Sequence, residues 1–499
     1  MMKKVIKKLL AALLAVAMVC AMAIPAFAGN YWETEEDLGQ NHCYDAFQIF
    51  TGDVSDDNTI SNVGWGSSIA HPNEFLAQLT EDLTIGDKFE TSFTPQEAAA
   101  VISQWSDSGN NSIAFARCVC NYVYSDGDST PVLQGGHTNG FKLEEAGYYL
   151  IVDTSSFSSD ANNDSYHAYN SFLLKVNKDH YHVQITPKVV KPTVEKKVYD
   201  NDDGSSSGDN NGWGSSADHA INEEFKFRLI AKLPASEGRA YDYYNKYTVC
   251  FNDTLSNGIS FDKLDTVEIT NGDGGASQVI DAANYTLTPN DPQSFFKLSI
   301  DNVKTCVPGL NLNDGATITV TYTAHLNENA AVNGSAENKN SVQLQYSNNP
   351  RPDGEYWGYT PNYTPESEVY VYTYQLNNTK YHDDDTPGNE LAGAGFKLYS
   401  DADCKNEVKL YQDGEFYYPI KNATGKEAVE MKSAANGQFN VKGLDAGTYY
   451  LRETTTPEGY STCTDTPIVI SATHDGNRVN LDSSKLSTTI INKKAGGIT

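Results

Sequence analysis

The sequence predicts a mainly-β protein: three tandem β-sandwich domains, with one short helix in the first. Three observations lead there. The chain holds 31 Tyr against five Met, a balance that favours strands over helices. Short alternating runs, such as Ala316-Thr317-Ile318-Thr319-Val320-Thr321-Tyr322-Thr323, recur between Gly, Asn and Asp clusters, the pattern of antiparallel strands joined by turns. Two proline-containing passages, Pro187 to Pro192 and Pro350 to Pro365, interrupt regular structure and divide the chain into pieces of ordinary domain size.

In chain order, residues 1–28 read as a removable export signal. Lys3, Lys4, Lys7 and Lys8 precede an apolar run from Leu9 to Ile24, and Ala26-Phe27-Ala28 supplies a small-residue cleavage site. The first domain is expected over 29–190. It holds strand-like runs at Tyr44 to Phe50 and Tyr148 to Val152. Its helix is predicted from Thr94-Pro95-Gln96-Glu97, a capping box with Pro at the first helical position, followed by an apolar face of Ala98, Val101, Ile102 and Trp105. That helix is expected to pack on a sheet edge.

The second domain is expected over 191–365 and the third over 366–499. Gly64-Trp65-Gly66-Ser67-Ser68 with His71, Asn73, Glu74 and Phe75 has a counterpart in Gly212-Trp213-Gly214-Ser215-Ser216 with His219, Asn222, Glu223 and Phe225. This partial repeat predicts that the first two domains begin alike.

The formal net charge is −29, and loss of the four leader lysines makes the mature chain more acidic still. That charge argues against nucleic acid or anionic lipid as a partner. An exported chain meets oxidising surroundings, so Cys250–Cys306 and Cys404–Cys463 are expected as disulfides within the second and third domains. One thiol among Cys43, Cys118 and Cys120 is then left over. No metal or cofactor site is expected. Asp200-Asn201-Asp202-Asp203-Gly204 and His382-Asp383-Asp384-Asp385 lack the distal glutamate of a Ca²⁺ loop and read as solvated turns.

The third domain contains Leu391-Ala392-Gly393-Ala394-Gly395-Phe396, then Gly447-Thr448-Tyr449-Tyr450-Leu451-Arg452-Glu453-Thr454, Pro457-Glu458-Gly459-Tyr460 and Ile490-Ile491-Asn492-Lys493-Lys494. In this order they resemble the Cna-B-like domains of sortase-assembled Gram-positive pilins. The second domain is similar to the middle domain of the same pilins through Pro192 to Val198, Trp213, Ala217-Asp218-His219, Asp253-Thr254-Leu255 and Tyr346 to Pro350. With Gln48-Ile49-Phe50-Thr51-Gly52 in the first domain, the resemblance covers essentially the whole mature chain. It implies immunoglobulin-like and Cna-B-like sandwiches that staple themselves by Lys–Asn isopeptide bonds.

For the third domain the resemblance implies Lys380 as nucleophile, Asn492 as acceptor and Glu453 as proton shuttle, with Lys397 as the alternative amine. In the second domain Lys196 shares a strand face with Val194 and Val198, whereas Lys197 points the other way. Asn340 shares a face with Val342, Leu344 and Tyr346 and is the expected acceptor, Asn338 being the alternative; Asp253 would be the carboxyl. The first domain has no lysine between Gly29 and Gly86, and no such bond is expected there.

Val183-Gln184-Ile185-Thr186-Pro187-Lys188 resembles a pilin motif. It implies Lys188, with Lys191 as alternate, as the amine to which a class C pilus sortase joins the next subunit. The LPxTG signal that a housekeeping sortase would attach to the wall is expected just beyond Thr499. The expected function is thus a major pilin subunit, not an enzyme, joined covalently to identical subunits and to minor pilins and able to support adhesion to a surface ligand. A wall-anchored adhesin or tip protein that never polymerises is the alternative.

Overall fold

The computed structural model describes residues 43–496 apart from 55–59, 106–108, 138–140, 154–171, 177–181, 184–191, 201–210, 237–238, 273, 290–292 and 348–361. The export signal, Lys188 and Lys191 lie outside the described residues. The described chain is mostly β, in three successive sheet assemblies.

The first assembly is a five-stranded sheet in which Cys43–Val54 is flanked by Ile60–Trp65 and Gly147–Asp153. Three helices, rather than the one expected, accompany it among the described residues: Pro72–Glu81, Pro95–Ile102 and Asn110–Ser125. The expected capping box is present, with Thr94 Oγ1 accepting from the Glu97 amide at 3.3 Å and Glu97 Oε2 accepting from the Thr94 amide at 2.8 Å. Its helix lies against the edge strand Ile60–Trp65, where Gln96 Nε2 donates to the Val63 carbonyl at 2.7 Å. Asn110–Ser125 buries Ile113, Phe115, Val119, Tyr122 and Val123. Its less buried face is a narrow polar stripe of Asn110, Arg117, Asn121 and Ser125, and its Ile, Val and Tyr content reads as strand until tertiary burial decides otherwise. The partial repeat is not structural. Asn73-Glu74-Phe75 opens a helix, whereas Phe225 belongs to the strand Glu224–Leu233.

The middle assembly is a sandwich. One sheet runs Ser216–Asp218, Ser367–Tyr372, Lys339–Tyr346, Val249–Leu255, Phe295–Ile300, Thr286–Thr288. The facing sheet runs Ser277–Val279, Ile259–Asn271, Ala316–Leu326, Glu224–Leu233, Thr193–Tyr199, Trp213–Gly214. Strict alternation along Glu224–Leu233 turns Phe225, Phe227, Leu229, Ala231 and Leu233 inward, each contributing about 1.5–3 kcal/mol for the larger side chains. Ser367–Tyr372 completes this domain, and after the single residue Thr373 the third begins with Tyr374–His382.

The third assembly pairs its first and last strands directly: Tyr374–His382 runs parallel to Ser487–Asn492, with Lys380 opposite Ile490 and His382 opposite Asn492. Facing them is the sheet containing Gly395–Tyr399, Gly447–Thr455 and Thr466–Ile470. No helix among the described residues is long and apolar enough to cross a membrane.

Candidate functional site

Two of the buried polar clusters in the sandwich cores hold a lysine, a carboxyl group and an asparagine. In the third domain, Tyr374, Leu376, Asn378 and Lys380 form the inward face of the opening strand. Asn378, unusual in such a position, is satisfied there: its Nδ2 donates to the Phe439 carbonyl at 2.9 Å and its Oδ1 accepts from Thr488 at 2.6 Å. Two residues on, Lys380 is fully buried, and its Nζ donates to Asn492 Oδ1 and passes 5.6 Å from the Phe396 ring centre. Asn492 Nδ2 donates to Glu453 Oε1 at 2.7 Å, and Lys380 Nζ lies 3.7 Å from the same oxygen. The Cys463 amide donates to Glu453 Oε2 at 2.8 Å, which fixes the carboxyl group between the amine and the carboxamide nitrogen. Burial lowers the pKa of Lys380, against the pull of Cys463 and Glu453 beside it. Lys397 is elsewhere, on the outer face in an ion pair with Glu407 at 3.0 Å.

In the second domain, Lys196 comes from the first strand of one sheet, while Asp253 and Asn340 come from adjacent strands of the other. Asp253 and Asn340 are fully buried and Lys196 is nearly so. Lys196 Nζ donates to Asp253 Oδ2 and, at 3.2 Å, to the hydroxyl of Tyr322. That hydroxyl donates to Asp253 Oδ1 at 3.1 Å and accepts from Asn340 Nδ2 at 2.6 Å. One phenol thus uses its single donor and both lone pairs to link amine, carboxyl and carboxamide.

Asn340 Oδ1 is buried without a hydrogen-bond partner, leaving the carboxamide carbonyl open to polarisation. Desolvation lowers Lys196 to about 8 and raises Asp253, each partner opposing the shift of the other. Both shifts favour the neutral forms, a free amine and a protonated carboxyl. Asn338 is held away from this cluster, its amide bonded to Ala331 and Val371. Lys197 is partly exposed and lies 3.5 Å from Glu195.

Tyr322 was not among the residues singled out from sequence. The signal was present, since it shares its strand face with Ile318, Val320 and Ala324, and a hydroxyl on an inward face needs a polar partner.

The expected disulfides are not formed: Cys250, Cys306, Cys404 and Cys463 are free thiols, as are Cys118 and Cys120. Sheet geometry explains both failures. Phe251 and Asp253 point into the core, so Cys250 faces the other way and its Sγ meets Ser299 Oγ at 3.1 Å, while Cys306 packs within the core cluster. Likewise Cys404 Sγ lies 3.7 Å from Asp465, which forks onto outward-facing Arg452, whereas Cys463 lies beside inward-facing Glu453. Asp200, expected as part of a solvated turn, is buried.

Residues 377–485 match a family model described as SpaA, prealbumin-like fold domain. No curated protein sequence matches the chain. Among solved structures it is similar to the T6 backbone pilin of serotype M6 Streptococcus pyogenes, described as a modular three-domain structure: 17% identity over 91% of this chain and 96% of that one, TM-score 0.52. Looser likenesses include a 35 kDa C-terminal fragment of the major pilin GBS80 of Streptococcus agalactiae, at 21% identity over 61% of this chain and 100% of that one, TM-score 0.42. The full-length major pilin SpaD from Corynebacterium diphtheriae gives 20%, 70%, 80% and 0.42 in the same order. The likeness to the T6 pilin concerns the fold; the residue clusters above stand on their own geometry.

Proposed function

We propose that the chain is the shaft subunit of a covalently polymerised pilus on a Gram-positive cell surface, stapled internally by Lys196–Asn340 and Lys380–Asn492 isopeptide bonds. The observation that carries this reading is the pair of buried Lys–carboxyl–Asn clusters, one in each of the last two domains of a three-domain fold. A buried lysine is costly to charge and a buried carboxamide is costly to leave unpaired. Condensation removes the titratable amine and leaves one neutral secondary amide.

In each site the neutral lysine nitrogen attacks the asparagine Cγ, and the protonated carboxyl gives its proton to the asparagine nitrogen. It takes the surplus proton of the former amine in exchange, the Cγ–Nδ2 bond breaks and ammonia leaves. One amide is made, one is broken, and the carboxyl ends as it began. Glu453 is bonded to the leaving nitrogen itself, whereas Asp253 reaches Asn340 through the Tyr322 hydroxyl. The reaction occurs once per site and is not turnover.

In the third domain the bond joins the adjacent first and last strands. In the second it joins the two facing sheets, so tension entering at Thr193 crosses the core through covalent bonds. Polymerisation would use Lys188, with Lys191 as the alternate, as the amine acylated by a class C sortase. The test is co-expression of the full chain, carrying an LPxTG signal, with such a sortase. A ladder of covalent multimers resistant to boiling in detergent, lost in Lys188→Arg, supports the shaft reading. Only monomer, with a sortase that polymerises a control pilin, supports the wall-anchored adhesin instead.

A further inference from the structure

The second and third domains meet at a buried cluster that neither crosslink uses. Asp200 follows the opening strand of the second domain, Asp218 ends the strand Ser216–Asp218, and His474 belongs to the strand Ala472–Asp475 of the third. Their exposures are 2%, 0% and 4%. Asp200 Oδ2 and Asp218 Oδ1 lie 3.6 and 3.8 Å from His474 Nε2, and the three ligand atoms fall within 4.8 Å of one another. Those separations are too long for hydrogen bonds. They approach the edge of a tetrahedron with metal–ligand bonds of about 2.0–2.2 Å, roughly 3.3–3.6 Å.

The surroundings orient the three atoms toward one point. Tyr374 donates to Asp218 Oδ2 at 2.8 Å, while Asp218 Oδ1, fully buried and turned toward His474, has no hydrogen-bond partner. The Asp218 amide donates to Asp200 Oδ2 at 3.0 Å. Ser216 Oγ lies 2.8 Å from His474 Nδ1 and accepts from the Gly476 amide at 3.1 Å. A proton on Nδ1 shared with Ser216 leaves the Nε2 lone pair facing both carboxylates. Two carboxyl groups and an imidazole nitrogen brought together in the interior make a donor set that a divalent cation would bridge.

We infer that Asp200, Asp218 and His474 bind a divalent transition-metal ion of the Zn²⁺ class at the junction of the second and third domains. The mixed nitrogen and oxygen donors suit such an ion, whereas Ca²⁺ and Mg²⁺ sites are built from oxygen alone. Because His474 comes from the other domain, the ion binds only the docked pair and fixes the angle between them.

The test uses the full mature chain, stripped with a chelator and titrated with Zn²⁺ alone, with Co²⁺ as a spectroscopic probe. Wild type should bind one equivalent that His474→Gln and Asp218→Asn both lose, and Tyr374→Phe, which keeps all three ligands, should weaken it about ten-fold. Bound Co²⁺ should show four-coordinate d–d bands without thiolate charge transfer. Circular dichroism of each variant separates lost binding from lost folding; should the ligand variants not fold, Tyr374→Phe and the Co²⁺ spectrum decide. No bound equivalent, thiolate charge-transfer bands, or unchanged affinity in folded variants would overturn the assignment.

Discussion

Replacing Glu453 by Gln tests the proposed proton shuttle of the third-domain cluster. Gln keeps the volume, but its single carbonyl oxygen can accept from either Asn492 Nδ2 or the Cys463 amide, the two bonds now made at 2.7 and 2.8 Å, not from both, and it cannot relay a proton. Lys380 and Asn492 should therefore remain unjoined in a folded domain. They are 112 residues apart, and closing a loop of that length restricts the unfolded chain by about 5 kcal/mol in the chain-entropy treatment of crosslinks. For a domain of this size that is a fall of about 15–25 °C in the midpoint of its unfolding transition. Intact mass and calorimetry on the same sample give the assay. E453Q should be heavier than wild type by one ammonia, apart from the side-chain change itself, and its third-domain transition should move down to match that of Lys380→Met. An E453Q chain that still shows the crosslinked mass would refute the shuttle role. A chain lacking the bond but melting at the wild-type temperature would refute the mechanical and entropic argument.

Tyr322→Phe removes the hydroxyl linking Lys196, Asp253 and Asn340, and formation of the second-domain bond should slow by about 100-fold, the scale of losing one donor at a developing charge; time-resolved mass spectrometry on freshly synthesised chains during their first folding measures it, and an unchanged rate would remove Tyr322 from the mechanism. In Asn340→Ala the amine stays titratable. Because Lys196 is lowered to about 8 in the folded protein, the unfolded state binds more protons between pH 8 and 10.5, so stability should rise over that window by up to about 3 kcal/mol. Denaturant titrations at several pH values check this, and the crosslinked wild type should lack the rise. Unreduced, denatured protein should titrate at least the six thiols described here as free; a lower count would indicate the disulfides that the sheet faces argue against.

Strand parity made much of the two clusters legible. The alternation that turns Val194 and Val198 inward also selects Lys196 over Lys197, and the face of Val342 and Leu344 selects Asn340. Applied to Cys250, the same rule already puts it on the opposite face from Asp253; pairing cysteines by domain alone overlooked that. Asn110–Ser125 was overlooked because its polar stripe of Asn110, Arg117, Asn121 and Ser125 is narrow and its β-branched and aromatic content favours a strand. Tyr322 was legible as a strand residue and not as a participant, since only the fold brings its hydroxyl between strands far apart in sequence. The same holds for Asp200, Asp218 and His474, which come together only when two domains dock.

The measurement closest to the central claim is the mass of the intact, reduced mature chain, followed by tandem mass spectrometry of its crosslinked peptides. The account predicts a deficit of two ammonia masses, one mapped to Lys196 with Asn340 and one to Lys380 with Asn492. A folded chain at its full unmodified mass would contradict it.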